Sequence, residues 1–238
     1  IMPSLVGSEM CIRDRLKAAY NLQIATENQF VLHYDVFSNP TDTKTLLPFL
    51  ETYPHDLKTV VADAGYGSEE NLLRLDEKGV NHLIKYAMFD KEQKRGYKQS
   101  ARNLANWHYD DKEDSYTHPD SWCYRFHHIK HQKTQTDFQQ EIKVYYADEP
   151  ESAPQKGLYM NERYQNLKAK ECQALLSPEG RQIFAQRKID VEPVFGQIKA
   201  CLGYKRCNLR GKRQVRIDMG LVLMANNLLK YNKRTTQN

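Results

Sequence analysis

The pattern of apolar and polar residues changes several times along the chain of 238 residues. Over residues 20–36, apolar and polar residues alternate on both sides of a short polar segment, and this period of two predicts a β-hairpin. Asn39-Pro40 ends the pattern, and apolar residues at helical spacing then predict a helix over residues 42–50. A strand, a helix and another strand are predicted within residues 59–86. The order ββαβαβ predicts a mixed α/β sheet.

Asp63 directly follows a short β-branched strand and precedes a turn that contains Gly65 and Gly67. A carboxylate at the carboxyl end of a strand lies where α/β proteins bind ligands. Ser68 is a suitable cap for the next helix, and Gly79 is a suitable stop. An Asp in a glycine turn can also serve only to accept hydrogen bonds from the turn amides, so both interpretations stand at this point.

Residues 91–176 differ in composition from the preceding part of the chain, because charged and aromatic residues are interleaved. This pattern predicts an insertion that is partly β. Cys123, His127 and His131 would share one face if their segment were helical and could then bind zinc, whereas a strand would separate them. No fourth ligand stands at a characteristic spacing, so we expect no zinc.

The last third of the chain is predicted to be helical, beginning at Ser177-Pro178. Asp190 can cap a second helix with Pro193 in its first turn, or Pro193 can kink one continuous helix. Either interpretation places Glu192 at a helix start or at a bend. Beside it, an apolar stripe of Val191, Val194, Ile198 and Leu202 predicts the buried face of a helix.

Residues 199–217 contain seven basic side chains and no acidic one. This charge exceeds the net charge of +5 of the whole chain. A solvated helix face is one explanation, but cations without counter-charges favour contact with the phosphates of a nucleic acid. The seven residues are Lys199, Lys205, Arg206, Arg210, Lys212, Arg213 and Arg216.

The most apolar stretch, residues 219–231, is predicted to be a helix that closes the core rather than a partner site. No apolar run approaches the about 20 residues that cross a bilayer, which argues against a membrane protein. The five cysteines form no CxxC pair, and their odd number predicts reduced thiols in a cytosolic protein.

Four segments of the sequence match a known family. Over residues 16–231 the chain resembles the carboxyl-terminal part of a DDE transposase from bacterial insertion sequences of the IS4-like and IS1182-like groups. The most specific of the four is the segment at residues 187–199. The segments are Ala-Tyr-Asn-Leu-Gln-Ile-Ala-Thr at 19–26, Val-Ala-Asp-Ala-Gly-Tyr-Gly-Ser at 61–68, Arg-Lys-Ile-Asp-Val-Glu-Pro-Val-Phe-Gly-Gln-Ile-Lys at 187–199, and Asn-Leu-Arg-Gly at 208–211.

The resemblance implies an RNase H-like fold in which three acids bind two Mg²⁺ ions for DNA strand cleavage and strand transfer. It makes Asp63 the second acid and Glu192 the third, both as metal ligands. Arg187, Lys188 and Lys199 are then expected to join the basic residues of 205–216 in binding DNA. The gap from Arg187 to Glu192 is one residue longer than usual in the family, and Lys188 stands at the usual spacing.

The first acid of the family has no match in the chain. Asp35 is a poor substitute, because only a helix fits between its strand and Asp63, without room for two further strands. Residues 5–15 resemble a translated sequencing adapter, which predicts that the natural sequence begins near Leu16. The first strand and its acid would then be missing, and the truncated chain is expected to be inactive.

The predicted partner is double-stranded DNA, and the intact protein is expected to be a homo-oligomer in the bacterial cytoplasm, associated with the nucleoid. Two alternatives remain open: an RNase H-like nuclease that does not join strands, and a non-catalytic DNA-binding protein descended from a transposase. The predicted domains are a non-native segment at 1–15, the first part of an RNase H-like core at 16–90, an inserted subdomain at 91–176, and a helical carboxyl-terminal part of the core at 177–238.

Overall fold

The computed structural model describes the backbone of residues 2–5 and the chain from residue 20 to residue 236. Contacts divide the chain into two compact units. The first unit combines Ile1–Tyr86 with Glu171–Asn238, and the second is Ala87–Lys170. None of the helices in the described residues is both long enough and apolar enough to cross a membrane.

The strands of the first unit are β1 (Met2–Leu5), β2 (Asn21–Glu27), β3 (Phe30–Phe37), β4 (Thr59–Ala62) and β5 (Asn81–Ile84). β2 pairs antiparallel with β1 on one side and β3 on the other, while β4 and β5 form a parallel pair. β1 also lies beside β4. The mixed α/β class is therefore confirmed.

The predicted hairpin is confirmed, since β2 and β3 are joined by Asn28 and Gln29, both with positive φ. The predicted absence of a first strand is not confirmed, because β1 stands ahead of this hairpin. Its sequence, Met-Pro-Ser-Leu, contains no acid. The foreign origin of residues 5–15 stays a prediction, and residues 6–15 lie outside the described residues.

The α-helices of the chain are α1 (Leu46–Glu51), α2 (Glu69–Glu77), α3 (Phe89–Glu92), α4 (Arg95–Lys98), α5 (Glu162–Leu176), α6 (Pro178–Gly196) and α7 (Lys212–Thr235). The predicted limits of α2 are confirmed. Ser68 Oγ accepts a hydrogen bond of 3.2 Å from the backbone N–H of Asn71, and Gly79 ends the segment with φ +65°.

Helix α6 continues through Pro193, so of the two predicted arrangements the continuous helix is formed and the second helix that would start near Glu192 is not. Asp190 does not act as a cap, because its carboxylate accepts a hydrogen bond of 3.0 Å from Gln186 Nε2 within the same helix. A π-helical turn, Gln197–Cys201, follows α6. Glu192 therefore belongs to the helix interior.

One core cluster of the first unit lies between the β2–β3 hairpin and the last two helices. Leu22, Ile24 and Val36 from the hairpin pack in one cluster with residues of α6 and α7. The predicted buried stripe of α6 is confirmed at Val191 and Val194. Burial of these side chains places α6 across the sheet and fixes which of its residues face inward.

Only one face of α7 is core. Met219 and Leu223 are buried, as the sequence predicts, but the prediction that the whole apolar stretch closes the core is wrong. More than half of each of five large side chains on the other side of the helix is exposed. We call these five residues the outer stripe of α7: Ile217, Leu221, Met224, Leu228 and Tyr231.

A buried histidine joins β5 to two helices. His82 Nδ1 lies 2.7 Å from Glu171 Oε1, and His82 Nε2 lies 3.2 Å from Asp76 Oδ1. Glu171 Oε2 also accepts a hydrogen bond of 2.7 Å from the backbone N–H of Ile84. Burial alone lowers the pKa of His82, but hydrogen bonds and charges from Glu171 and Asp76 together raise it above the usual value. We call this group the His82 cluster.

The second unit contains β6 (His108–Asp110), β7 (Ser115–Thr117), β8 (Cys123–Lys133), β9 (Gln139–Ala147) and β10 (Gly157–Met160). They form an antiparallel sheet in the order β10-β9-β8-β7-β6. Tyr124, Tyr145 and Met160 form its core. Because Cys123, His127 and His131 all lie on the strand β8, the helical arrangement that a zinc site would need is not formed.

Candidate functional site

Asp63 is the first residue after β4, at the carboxyl end of the parallel strand pair. It caps the short 3-10 turn Ala64–Tyr66, and its Oδ1 accepts a hydrogen bond of 3.1 Å from the N–H of Gly65. One third of the side chain, 34%, remains exposed. The carboxylate therefore binds the turn through Oδ1, while Oδ2 points toward a neighbouring helix.

Gly65 and Gly67 shape the turn that presents Asp63. A Cβ on Gly65 would lie 2.8 Å from Asp42 Oδ2 and 3.3 Å from Asp63 Oδ1, so two carboxylates approach this glycine. A Cβ on Gly67 would lie 2.2 Å from the carbonyl oxygen of Lys85, which follows β5. Gly67 requires glycine because backbone approaches it closely, whereas the atoms near Gly65 belong to side chains that can move.

Replacing Gly67 with alanine is expected to lower the free energy of unfolding by about 2 kcal/mol, because the clash involves backbone that must move. Gly96→Ala is the control, since a Cβ there meets no atom within 4 Å and should leave stability nearly unchanged. Urea unfolding of both variants measures the difference. Equal stabilities of the two variants would contradict the expected close contact at Gly67.

Asp42 is the neighbour of Asp63 that the sequence interpretation did not identify. Asn21 Nδ2 donates a hydrogen bond of 2.8 Å to Asp42 Oδ1. Burial raises the pKa of Asp42, the hydrogen bond from Asn21 lowers it, and the charge of Asp63 raises it again. Burial is therefore the main cause of the net increase in the pKa of Asp42, and the charge of Asp63 adds to it.

A series of hydrogen bonds between polar side chains continues from Asp42 through Asn21 into the interior. Gln23 Nε2 donates a hydrogen bond of 2.7 Å to Asn21 Oδ1, and the hydroxyl of Tyr66 donates to Gln23 Oε1. Burial, followed by the charges of Asp42 and Asp63, holds the pKa of Tyr66 well above its usual value, so its hydroxyl stays a donor. Asn21, Gln23 and Tyr66 lie within the family-like segments 19–26 and 61–68. Polar residues in those two segments were the signal from which this hydrogen-bonded group could have been predicted.

Arg187 approaches the site from α6. Its Nη1 lies 3.9 Å from Asp63 Oδ2, and only 12% of its side chain is exposed. Its guanidinium carbon lies 5.5 Å from the centre of the Phe184 ring. The buried Nε of Arg187 has no hydrogen-bond partner among the residues that the structure describes. The structure thus brings together two of the predicted site residues, Asp63 and Arg187.

Glu192 is not brought into this group. It is exposed, and its side chain makes no hydrogen bond or ion pair within residues 20–236. It follows Arg187 by five positions, which places the two side chains about 140° apart around the helix axis. Because Arg187 points toward Asp63, Glu192 points away from it. Lys188, at the alternative spacing, is also exposed.

The basic residues after α6 form an exposed segment. Gly203 and Gly211, both with positive φ, lie on either side of a loop that carries Lys205, Arg206 and Arg210, and the remaining exposed basic residues lie beyond it in α7. Tyr204 anchors its start through a hydrogen bond of 2.6 Å to Asp218 Oδ2, and the N–H of Gly211 anchors its end by donating to the hydroxyl of Tyr20. The exposed basic side chains are Lys205, Arg206, Arg210, Lys212, Arg213 and Arg216, whereas Lys199 is half-buried.

Two of these side chains also contact β3. Arg216 Nε lies 3.3 Å from Asp35 Oδ1, and Lys212 Nζ lies 5.3 Å from the centre of the Phe37 ring. Lys205, Arg206 and Arg210 make no such contact within the described part of the chain. Their charges are therefore available to an external anion, and we call these three residues the basic loop.

A family model for the transposase DDE domain matches residues 10–228. The chain belongs to the transposase DDE domain family. No curated protein and no solved structure matches it. Membership indicates DNA cleavage and transfer of the transposase type, with DNA as the partner.

Divalent metal ions generally serve DDE domains, and oxygen ligands such as carboxylates suit Mg²⁺. Asp42 and Asp63 offer such oxygens on one side of the turn. Among the described residues, however, no three or more His, Cys, Asp or Glu side chains are arranged to hold a metal ion. Arg187 supplies the positive charge next to Asp63 instead. The side chains as placed in this DDE domain therefore do not form a complete metal site.

Proposed function

We propose that this chain is part of the catalytic region of a bacterial insertion-sequence transposase, of the IS4-like or IS1182-like group, that cuts and joins DNA at the ends of its element. The observation that carries the proposal is the position of Asp63, an acid at the carboxyl end of a parallel strand, with Arg187 beside it. An acid next to a guanidinium group suits phosphodiester chemistry, because the cation can hold a phosphate oxygen near the reacting centre.

The arrangement of the strands supports an RNase H-like fold. β3, β2 and β1 follow one another in an antiparallel sheet, β1 lies beside β4, and β4 pairs in parallel with β5. In this proposal the carboxyl end of β4 presents the second acid, Asp63. The third acid is Glu192, and residues 87–170 are the insertion between them.

The exposed basic segment is proposed to bind double-stranded DNA through its phosphates. Lys205, Arg206 and Arg210 have the exposure and the charge that sequence-independent contact requires. Two anchored ends hold the loop that carries them, which lowers the conformational entropy that binding must remove.

Magnesium is the metal that the family resemblance implies, with Asp63 and Glu192 as its ligands. These two side chains are not together in this structure, and β1 supplies no acid. We therefore propose no step that depends on the metal. For the same reason we propose that this chain binds DNA without cleaving it.

The chain is accordingly expected to show no Mg²⁺-dependent nicking of supercoiled plasmid DNA above the level of its Glu192→Gln variant. Agarose gels of the parent chain, Glu192→Gln and Asp63→Asn, with Mg²⁺ or with EDTA, measure this. Nicking by the parent that needs Mg²⁺ and disappears in Glu192→Gln would show that the acids assemble after all. The proposed inactivity would then be wrong, while the proposed transposase chemistry would gain support.

A further inference from the structure

The outer stripe of α7 is a continuous apolar surface with no cover among the described residues. Its five side chains are between 54% and 61% exposed. They include two leucines, an isoleucine, a methionine and a tyrosine, which are residues that proteins usually bury. Apolar patches of this kind on a soluble domain mark interaction sites.

The spacing of the outer stripe is that of a helix that packs against another helix. Its members follow one another at intervals of four, three, four and three residues, from Ile217 to Tyr231. This seven-residue repeat keeps two side chains per two turns on one line along the helix. The stripe covers four turns, or about 21 Å of helix.

The charged residues of α7 leave this line free. Arg216 is drawn toward Asp35, and Arg234 donates a hydrogen bond of 2.7 Å to the carbonyl oxygen of Asn28. Lys230 donates to Gln29 Oε1, on the same side of the helix. Asp218 lies about 100° around the helix from Ile217 and accepts a hydrogen bond of 2.6 Å from Tyr204, so no charged residue lies on the line between Ile217 and Tyr231.

We propose that the outer stripe of α7 is the interface of a homodimer, in which α7 packs antiparallel against α7 of a second copy of this chain. The family resemblance implies a homo-oligomer without naming a surface. An uncharged seven-residue repeat is complementary to itself, since its side chains fit between those of an identical stripe. The proposal concerns assembly and does not depend on the proposed DNA chemistry.

The available area is close to that of a specific dimer. A fully exposed large side chain presents roughly 200 Å², so five that are more than half exposed give about 550 Å² per copy. Flanking residues bring this toward the about 800 Å² per partner of a standard interface. A stripe of one helix therefore comes close to the size of a specific interface.

Charge decides the orientation. Arg213 stands one turn before Ile217 and is exposed, and the basic loop lies further toward the amino terminus. Parallel helices would place both copies of these cations together. Antiparallel helices that cross near the middle of the stripe separate the two Arg213 side chains by about 35 Å, well beyond the screening length of about 8 Å.

Sedimentation velocity of the whole chain tests the interface. We expect a monomer–dimer equilibrium that Leu221→Lys weakens at least about 30-fold, the loss that defines a strong interface position. Tyr159→Lys is the control, because Tyr159 is 60% exposed on β10 and lies outside α7. Circular dichroism checks that both variants fold.

Orientation is tested by the double variant Leu221→Lys/Leu228→Glu. In an antiparallel pair each introduced lysine lies within a turn of the other copy's introduced glutamate, so dimerisation should recover at least about 10-fold relative to Leu221→Lys. In a parallel pair like charges would face each other. A monomeric parent chain, a dimer insensitive to Leu221→Lys, or a double variant no tighter than the single one would each overturn the proposal.

Discussion

Replacing Lys205, Arg206 and Arg210 with glutamine is expected to lower the affinity for double-stranded DNA about 100-fold. Each side chain is exposed and free of ion pairs within the described residues, so each can contact a phosphate. Three lost contacts of about 1 kcal/mol each correspond to this loss. The slope of log affinity against log salt should also decrease in magnitude by about 2.7, or 0.9 per phosphate contact. Fluorescence anisotropy with a labelled duplex at several salt concentrations measures both quantities.

The control is a second triple variant with the same change in net charge. Lys58, Lys78 and Lys98 are exposed and lie far from the basic loop in sequence, and their replacement with glutamine should alter the slope little. If both triple variants lose affinity equally, binding depends on overall charge rather than on the basic loop. If the parent chain binds no DNA, the proposed binding function fails as a whole.

Replacing Glu171 with glutamine is expected to lower the free energy of unfolding by about 3 kcal/mol near pH 6. Removing one partner from a buried ion pair costs about 3–5 kcal/mol, and the lower value applies because His82 can release its proton. Glutamine keeps the shape of the side chain and can still accept from the N–H of Ile84. Urea unfolding followed by circular dichroism gives the free energies.

The same variant should alter the pH dependence of stability. The pKa of His82 is raised in the folded protein, so its contribution is complete below the unfolded value of about 6.5 and is lost as pH rises through the folded value. The difference between parent and Glu171→Gln should therefore shrink toward pH 9. Glu77→Gln is the control, because its pair with Arg74 is half exposed and contributes at most about 1 kcal/mol at any pH. A pH-independent difference for Glu171→Gln would rule out the His82 cluster as its cause.

Local signals in the sequence were sufficient for the hairpin and for the Asp63 turn. Alternating apolar residues predict β2 and β3, and the Ser68 cap and Gly79 stop predict the limits of α2. Each of these signals acts within a few residues. A strand, a turn and a cap depend on neighbouring residues, and the sequence therefore contains the information needed to predict them.

Features set by tertiary contact could not be predicted in the same way. A bulge between Ala25 and Thr26 shifts the pairing by one residue, so that Val31 joins Val36 in the core although the alternating pattern placed them on opposite faces. Asp42 comes close enough to Asp63 for the charge of Asp63 to raise its pKa, although nothing local in the sequence connects the two residues. Burial of Val191 and Val194 compensates the hydrogen bond that Pro193 removes, and α6 therefore remains continuous.

The hairpin turn at Asn28 and Gln29 is held by residues from the opposite end of the chain. The side-chain amide of Asn227 accepts a hydrogen bond from the N–H of Val31 and donates one to its carbonyl oxygen. Arg234 donates a hydrogen bond to the carbonyl oxygen of Asn28, 206 positions earlier in the sequence. Contacts between such distant positions form slowly, and a ribosome delivers α7 long after the hairpin. We therefore expect β2 and β3 to remain without their helical cover until α7 has been synthesised. During that interval their apolar residues are a target for chaperones, which makes yield in cells sensitive to changes in α7.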